Sequence, residues 1–125
     1  MCKVTETGNK HYVPYGLYRG HGFYSAPLGT KAGVTSDDLA AYWHAMTMMF
    51  DHDRASTHGE MAIHGLYVFT HDDSYGRAPA HKLFDLIRIK PLGHNEARSW
   101  DDYTDRITID HDNIPTGVTL TRLID

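Results

Sequence analysis

The sequence contains a single cysteine, Cys2, among its 125 residues. This excludes a disulfide within the chain and a zinc site built from several thiolates. No apolar run approaches the roughly 20 residues that a membrane-spanning helix needs. Because the N-terminal residues also lack a hydrophobic signal core, we expect a cytoplasmic protein that does not contact a membrane.

Familiar catalytic motifs are absent as well. The sequence has no G-x-S-x-G, no H-E-x-x-H and no G-x-x-x-x-G-K phosphate loop. It also lacks a basic excess, with 12 Lys and Arg against 16 Asp and Glu and a formal net charge of -4. Any contact with RNA or DNA must therefore come from a local patch or from a surface shared between subunits. The 10 histidines can add positive charge there, since a phosphate favours their protonated form.

The length and the 41% apolar content predict one domain over residues 1–125. Alternating side chains and interspersed glycines predict a strand over 11–25, followed by a loop over 26–34. A helix is predicted to begin at Thr35, which forms a capping signature with Asp38. Its apolar stripe is predicted to pack on a sheet and contains Leu39, Trp43, Met46, Met49 and Phe50.

The second half of the chain predicts further strands and a short helix. Residues 60–71 are apolar on both faces, which is typical of a central strand and predicts a right-handed βαβ unit with the preceding helix. A helix over 79–88 buries Leu83, Phe84 and Ile87, and strands follow over 103–110 and from Val118 to Leu123. The expected class is α+β, a mostly antiparallel sheet backed by two helices.

The segment from Phe50 to His71 concentrates charge and histidine before a long apolar run. Arg54 follows a helix C-terminus, where it can reach a phosphate or pair with a neighbouring aspartate. Three His-Asp dipeptides superficially resemble a metal phosphohydrolase signature and begin at His52, His71 and His111. They stand at turns, where Asp is common for backbone reasons, so we expect no catalytic metal and no cofactor.

Two further groups are candidates for RNA contact. Arg19 and His21, with Tyr18, Phe23 and Tyr24, combine cations with aromatic rings, as sheets that stack unpaired bases do. The alternative is that these aromatic side chains belong to the core. Lys82 and Arg88 form a second basic group, for which the alternative is an ordinary solvated face. The same two alternatives, RNA contact or a solvated face, apply to Lys90 and Lys31.

Five segments carry a resemblance to a known family: VPYGLYRGHGFYS at 13–25, MFDHDRAS at 49–56, GEMAIHGLYVFTHD at 59–72, APAHKLFDLI at 78–87 and IPTGVTLTRL at 114–123. In this order they resemble the C-terminal part of the type I-C CRISPR Cascade backbone subunit, a member of the RAMP superfamily. The resemblance implies part of an RRM-like (ferredoxin-like) core. It also implies a non-catalytic scaffold whose copies line up along a CRISPR guide RNA (crRNA) for antiviral defence.

The partners implied are crRNA, copies of the chain, other Cascade subunits and, through base pairing, a target DNA strand. Members of this family are longer, so we expect a truncated product, one piece of a split gene or an expressed fragment. We expect His58 and His64 to stand where relatives carry basic residues, and count His58 among the RNA-contacting candidates. The alternative functions are a metal-dependent phosphohydrolase using the His-Asp pairs, and an inactive remnant or interaction module.

Overall fold

The computed structural model describes residues 8–9, 11, 13–53, 59–93 and 95–124. Its elements, in chain order, are α1 (Ala26–Ala32), α2 (Ser36–Met48), β1 (Tyr67–His71), α3 (Ala80–Phe84), β2 (Ile87–Ile89), α4 (Asp101–Thr104), β3 (Ile107–Ile109) and β4 (Val118–Arg122). Strand β1 pairs antiparallel with β4, and β2 pairs antiparallel with β3. The predicted α+β class is confirmed and is compatible with a ferredoxin-like core, although the antiparallel strands form two small sheets.

The β1–β4 sheet has one apolar and one polar face. Side chains alternate along a strand, so every second cross-strand pair shares a face. The apolar face carries the pairs Tyr67–Arg122, Phe69–Leu120 and His71–Val118. Thr70 and Thr119 are opposite each other on the other face and are exposed to solvent. Because of this alternation, only one side of the sheet can cover the protein interior.

The buried apolar residues of the described chain are Leu83, Ile87, Ala97 and Val118. Leu83 comes from α3 and Ile87 begins β2, so two of the three core residues predicted for 79–88 are buried and Phe84 is half-buried. Val118 adds the first residue of β4. The core is thus small and centred on the junction between α3 and β2.

A tight turn at Gly117 connects to β4. Its φ of 85° lies in the left-handed region that favours glycine. The amide of Asp72 donates to the Gly117 carbonyl oxygen at 2.9 Å, and a Cβ at position 117 would lie 2.8 Å from the Asp72 carboxylate. Asp72 in turn pairs with the Arg77 guanidinium, whose pKa this hydrogen bond raises. The turn at Gly117 therefore packs closely against the segment that follows β1.

Helix α2 confirms the predicted start at Thr35. The Thr35 hydroxyl accepts from the Asp38 amide at 3.2 Å, and the Asp38 carboxylate accepts from the Thr35 amide at 2.9 Å. These hydrogen bonds hold the pKa of Asp38 below its usual range. The prediction that the apolar stripe of α2 is a core face was wrong. No residue of α2 is buried, and Trp43 and Met46 are only half-buried.

The loop predicted over 26–34 is a helix, α1. Ser25 caps it by accepting from the Leu28 amide, a proline lies in its first turn, and Gly33 ends it at a φ of 78°. These are ordinary start and stop signals, but the helix is only 7 residues long. Such a short element leaves little apolar periodicity to detect.

The strand predicted over 11–25 is absent, because the described residues of that range form no regular hydrogen-bonded strand. The βαβ unit is therefore wrong as well. The strand predicted over 60–71 is present only as β1, which among the described residues pairs with β4 alone and so is not a central strand.

The helix predicted over 79–88 ends at Phe84, and strand β2 begins at Ile87. Residues 103–110 similarly divide between the end of α4 and strand β3. The last strand, β4, matches its predicted range closely. Over the residues that the structure describes, no helix is long and apolar enough to cross a membrane.

Candidate nucleic-acid interface

Arg19 fastens the coil 13–25 to the small core. Its Nη1 donates to the Ile87 carbonyl oxygen and its Nη2 to the Phe84 carbonyl oxygen, each at 2.6 Å. Both acceptors lie between the end of α3 and the start of β2, where carbonyl groups lack helix partners. The guanidinium therefore satisfies two backbone acceptors and holds the coil in place.

His21 and Phe23 strengthen this attachment. The His21 ring stacks on Phe84 with a centroid distance of 3.9 Å and an interplanar angle of 6°. Phe23 approaches Phe84 edge-on, at 5.6 Å and 69°. One aromatic ring thus receives both side chains, and together with Arg19 they form what we call the anchor (Arg19, His21 and Phe23).

The two tyrosines predicted beside the anchor differ in their surroundings. Tyr18 is 78% exposed, so its ring is available for stacking. Tyr24 lies against Gly29 of α1, where a Cβ would overlap the tyrosine hydroxyl. Glycine at position 29 therefore lets the Tyr24 ring rest on the helix. The structure places Arg19 and His21 against Phe84 at the end of α3, whereas Tyr24 contacts α1 and Tyr18 is exposed.

The remaining predicted residues are Arg54, His58, Lys82 and Arg88. Arg54 and His58 lie outside the described residues. Lys82 on α3 and Arg88 on β2 are both exposed, which is compatible with either alternative given for them. The Arg88 Nε donates to the Asp85 carbonyl oxygen at 3.1 Å, which directs its side chain back along the preceding turn. RNA contact by these residues stays a prediction.

A cavity of about 330 Å³ lies between the two sheets. We call it the intersheet cavity; its lining residues are His64, Tyr67, Trp100, Thr104, Ile107, Ile109 and Arg122. His64 and Trp100 stack in parallel, with a centroid distance of 3.9 Å and an angle of 9°. The Arg122 guanidinium carbon lies 5.7 Å from the centroid of the Tyr67 ring, a cation–π distance.

Sequence reasoning missed this cavity as a site. Trp100 and Arg122 are far apart in the chain, and neither belongs to a motif. The cross-strand register that places Tyr67 opposite Arg122 is set by the pairing of β1 with β4. No local sequence signal predicts the cavity, because its lining comes from segments that are far apart in the chain.

The His-Asp dipeptide at 71–72 has a structural use. The Nδ1 atom of His71 accepts from the Arg77 amide at 2.9 Å, and the Asp72 carboxylate binds the Arg77 side chain. Both groups of this dipeptide that could bind a metal ion are thus engaged with Arg77. Among the residues that the structure describes, no three His, Cys, Asp or Glu side chains are grouped to hold a metal ion.

Asp102 organises the loop that carries Trp100. Its carboxylate accepts from the amides of Arg98 at 2.8 Å and Ser99 at 3.2 Å. These hydrogen bonds hold the pKa of Asp102 below its usual range. The side chain of Arg106 donates from Nε to the Asp102 carbonyl oxygen, at 3.1 Å. The loop before α4 is therefore fixed from both sides of Trp100.

We expect acid to weaken the fold through this carboxylate. Its folded-state pKa is depressed, so its contribution is present above the unfolded value of about 3.9 and is lost as pH falls through the lower folded value. Asp102→Asn should therefore flatten the decline of melting temperature below about pH 4. Asp101→Asn removes the neighbouring charge without touching the Arg98 and Ser99 amides, and is the control. An unchanged acid limb in Asp102→Asn would contradict this assignment.

Comparison with protein families gives one clear result. The family model described as CRISPR-associated protein Cas7 matches residues 3–110, which is most of the chain. A comparison with curated proteins gives no match. The matched range includes the anchor and most of the lining of the intersheet cavity. The chain therefore belongs to the Cas7 family of CRISPR-associated proteins, which implies a backbone subunit of a CRISPR interference complex.

Proposed function

We propose that the protein is a non-catalytic crRNA-binding subunit of a type I-C interference complex, acting in the cytoplasm in antiviral defence. Copies would line up along the guide RNA beside other Cascade subunits, leaving base pairing to recognise the target DNA. The family match over residues 3–110 is the observation that carries this proposal. The five ordered segments support the type I-C assignment and a correspondence to the C-terminal half of longer members.

The distribution of charge supports a repeated and sequence-independent mode of binding. A chain with a net charge of -4 cannot hold RNA through a broad basic face. A few cations per copy suffice when many copies bind one strand, because linked contacts act at a high effective concentration. Exposed Tyr18 supplies a ring for stacking, and exposed Lys82 and Arg88 supply cations for phosphates.

The contacts of the His-Asp pair at 71–72 do not favour a phosphohydrolase. At 71–72 the imidazole Nδ1 and the carboxylate both face Arg77. A metal site there would have to displace a guanidinium and an amide. Within the described part of the chain no observation favours the hydrolase, and that function is one outcome of the experiment below.

A salt titration of RNA binding tests the proposal. The chain is titrated into a labelled, unstructured RNA, and the RNA is checked for cleavage with and without divalent metal. With about three phosphate contacts per copy, the affinity should fall about 20-fold between about 50 and 200 mM salt, and the RNA should stay intact. Metal-dependent cleavage would favour the hydrolase instead. The absence of salt-sensitive binding would favour an inactive remnant or interaction module.

A further inference from the structure

We infer that the intersheet cavity binds one nucleotide unit of single-stranded RNA, with the base inside and its phosphate at Arg122. This rests on the proposed function and names a contact point whose lining includes neither the anchor nor the basic residues of α3 and β2. The ligand class follows from three features of the lining: an apolar floor, aromatic walls and a cation at the edge.

The floor of the cavity comes from β3. Ile107 and Ile109 alternate with Thr108 and share the face that carries buried Ile87 of β2. The volume of about 330 Å³ lies at the lower end of the range for small-molecule sites, roughly 300–1,000 Å³. A cavity of this volume can hold a single base, but not a base pair or a folded RNA element.

The walls offer flat aromatic surfaces. Stacking on His64 fixes the plane of the Trp100 indole. Tyr67 supplies a second ring at the end of β1. Aromatic side chains bind unpaired bases of any sequence, because every base has a π face. This tolerance suits a guide RNA, whose sequence varies along its length.

Arg122 supplies the cation. Its Nε donates to the Ile124 carbonyl oxygen at 2.8 Å, and its guanidinium carbon lies over the Tyr67 ring. These contacts orient the group and use one of its five N–H donors. Over the ranges 8–9, 11, 13–53, 59–93 and 95–124, its two terminal nitrogens have no hydrogen-bond partner. A guanidinium held in this way is suited to two parallel hydrogen bonds to a phosphate.

Both walls are positioned by local contacts within the protein. Asp102 holds the Arg98–Ser99 backbone and so sets the start of the segment that bears Trp100. Gly65 lets the Tyr67 ring lie against the main chain, since a Cβ there would come within 2.7 Å of the ring. A lining that is rigid before the ligand arrives loses less entropy on binding.

Trp100 fluorescence provides the test. The protein has 2 tryptophans, so Trp43→Phe leaves Trp100 as the sole indole reporter. Uridine monophosphate and an oligouridine of about eight residues serve as separate probes, which distinguishes a free nucleotide from an RNA strand. We expect saturable quenching by the oligouridine, with a weaker effect of the mononucleotide.

Variants of the tryptophan-intact chain, with labelled oligouridine, supply the second readout. Trp100→Leu and Arg122→Gln should each weaken binding about tenfold, the size expected for one lost stacking or phosphate contact. Arg98→Gln removes the same charge from the loop beside Trp100 but does not line the cavity, so it is the matched control for Arg122→Gln. Melting curves identify any variant that fails to fold. Such a variant is replaced by Gly65→Ala, which obstructs the Tyr67 ring but keeps every residue that lines the cavity.

The outcomes separate the two proposals. RNA binding without Trp100 quenching, and with wild-type affinity in Trp100→Leu and Arg122→Gln, would overturn the cavity assignment and leave the scaffold function intact. Quenching by the mononucleotide without binding of RNA would support a nucleotide site and contradict the scaffold function. No quenching by either probe and no RNA binding would overturn both.

Discussion

Replacing Leu83 by alanine is expected to lower the free energy of unfolding by about 3 kcal/mol, because it removes a buried side chain and leaves a cavity. Leu83 is 3% exposed, the lowest value among the buried apolar residues. It lies on the last turn of α3, where the coil 13–25 is attached through Phe84 and Ile87. Urea denaturation followed by circular dichroism measures the loss.

Leu28→Ala is the matched control for this change. Leu28 lies on α1 and is 67% exposed, so the same truncation should alter the free energy of unfolding by less than about 0.5 kcal/mol. Because the buried core of the described chain is small, the Leu83 change should remove a large part of the total stability. Equal effects of the two substitutions would show that α3 does not anchor the core.

Arg19→Ala is expected to destabilise the fold by about 2 kcal/mol. Hydrogen bonds from charged donors contribute about 1.5–3 kcal/mol each, and solvent exposure lowers the combined contribution of these two. The change leaves the carbonyl oxygens of Phe84 and Ile87 without the guanidinium and loosens the coil that bears His21. Urea denaturation reports the stability. Arg19→Lys should recover only part of it, because an ammonium cannot reach both acceptors in the same geometry.

RNA affinity measured on the same variants distinguishes an anchor from an RNA contact. Arg98→Ala removes an exposed arginine whose side chain makes no hydrogen bond within the described part of the chain, and should leave stability unchanged. If Arg19→Ala weakened RNA binding while the free energy of unfolding stayed at the wild-type value, the anchoring role would be wrong. The guanidinium would then act on RNA directly.

Local signals in the sequence predicted local structure well. The capping box of Thr35 and Asp38 depends on residues three positions apart, and it set the start of α2 correctly. The strand β4 follows a glycine turn and was predicted closely. Antiparallel pairing and the α+β class also followed from the pattern. The capping box and the glycine turn depend on short-range chemistry that neighbouring elements do not override.

Long-range contacts account for the errors. The alternation over 11–25 is typical of a strand, yet Arg19 and His21 bind the backbone and the ring of α3 instead of a neighbouring strand. The apolar stripe of α2 predicted a core face that the described structure leaves half-exposed. The intersheet cavity depends on the register of β1 with β4, which no local motif encodes.

The RNA that accompanies the protein in cells tests the central claim most directly. The chain is expressed together with a CRISPR array carrying type I-C repeats, purified under low salt, and the bound RNA is sequenced. We expect repeat–spacer transcripts to be strongly enriched over their share of total RNA, and to be released as salt is raised. Bound RNA with the composition of the total pool, or no bound RNA, would contradict a role as a guide-RNA subunit.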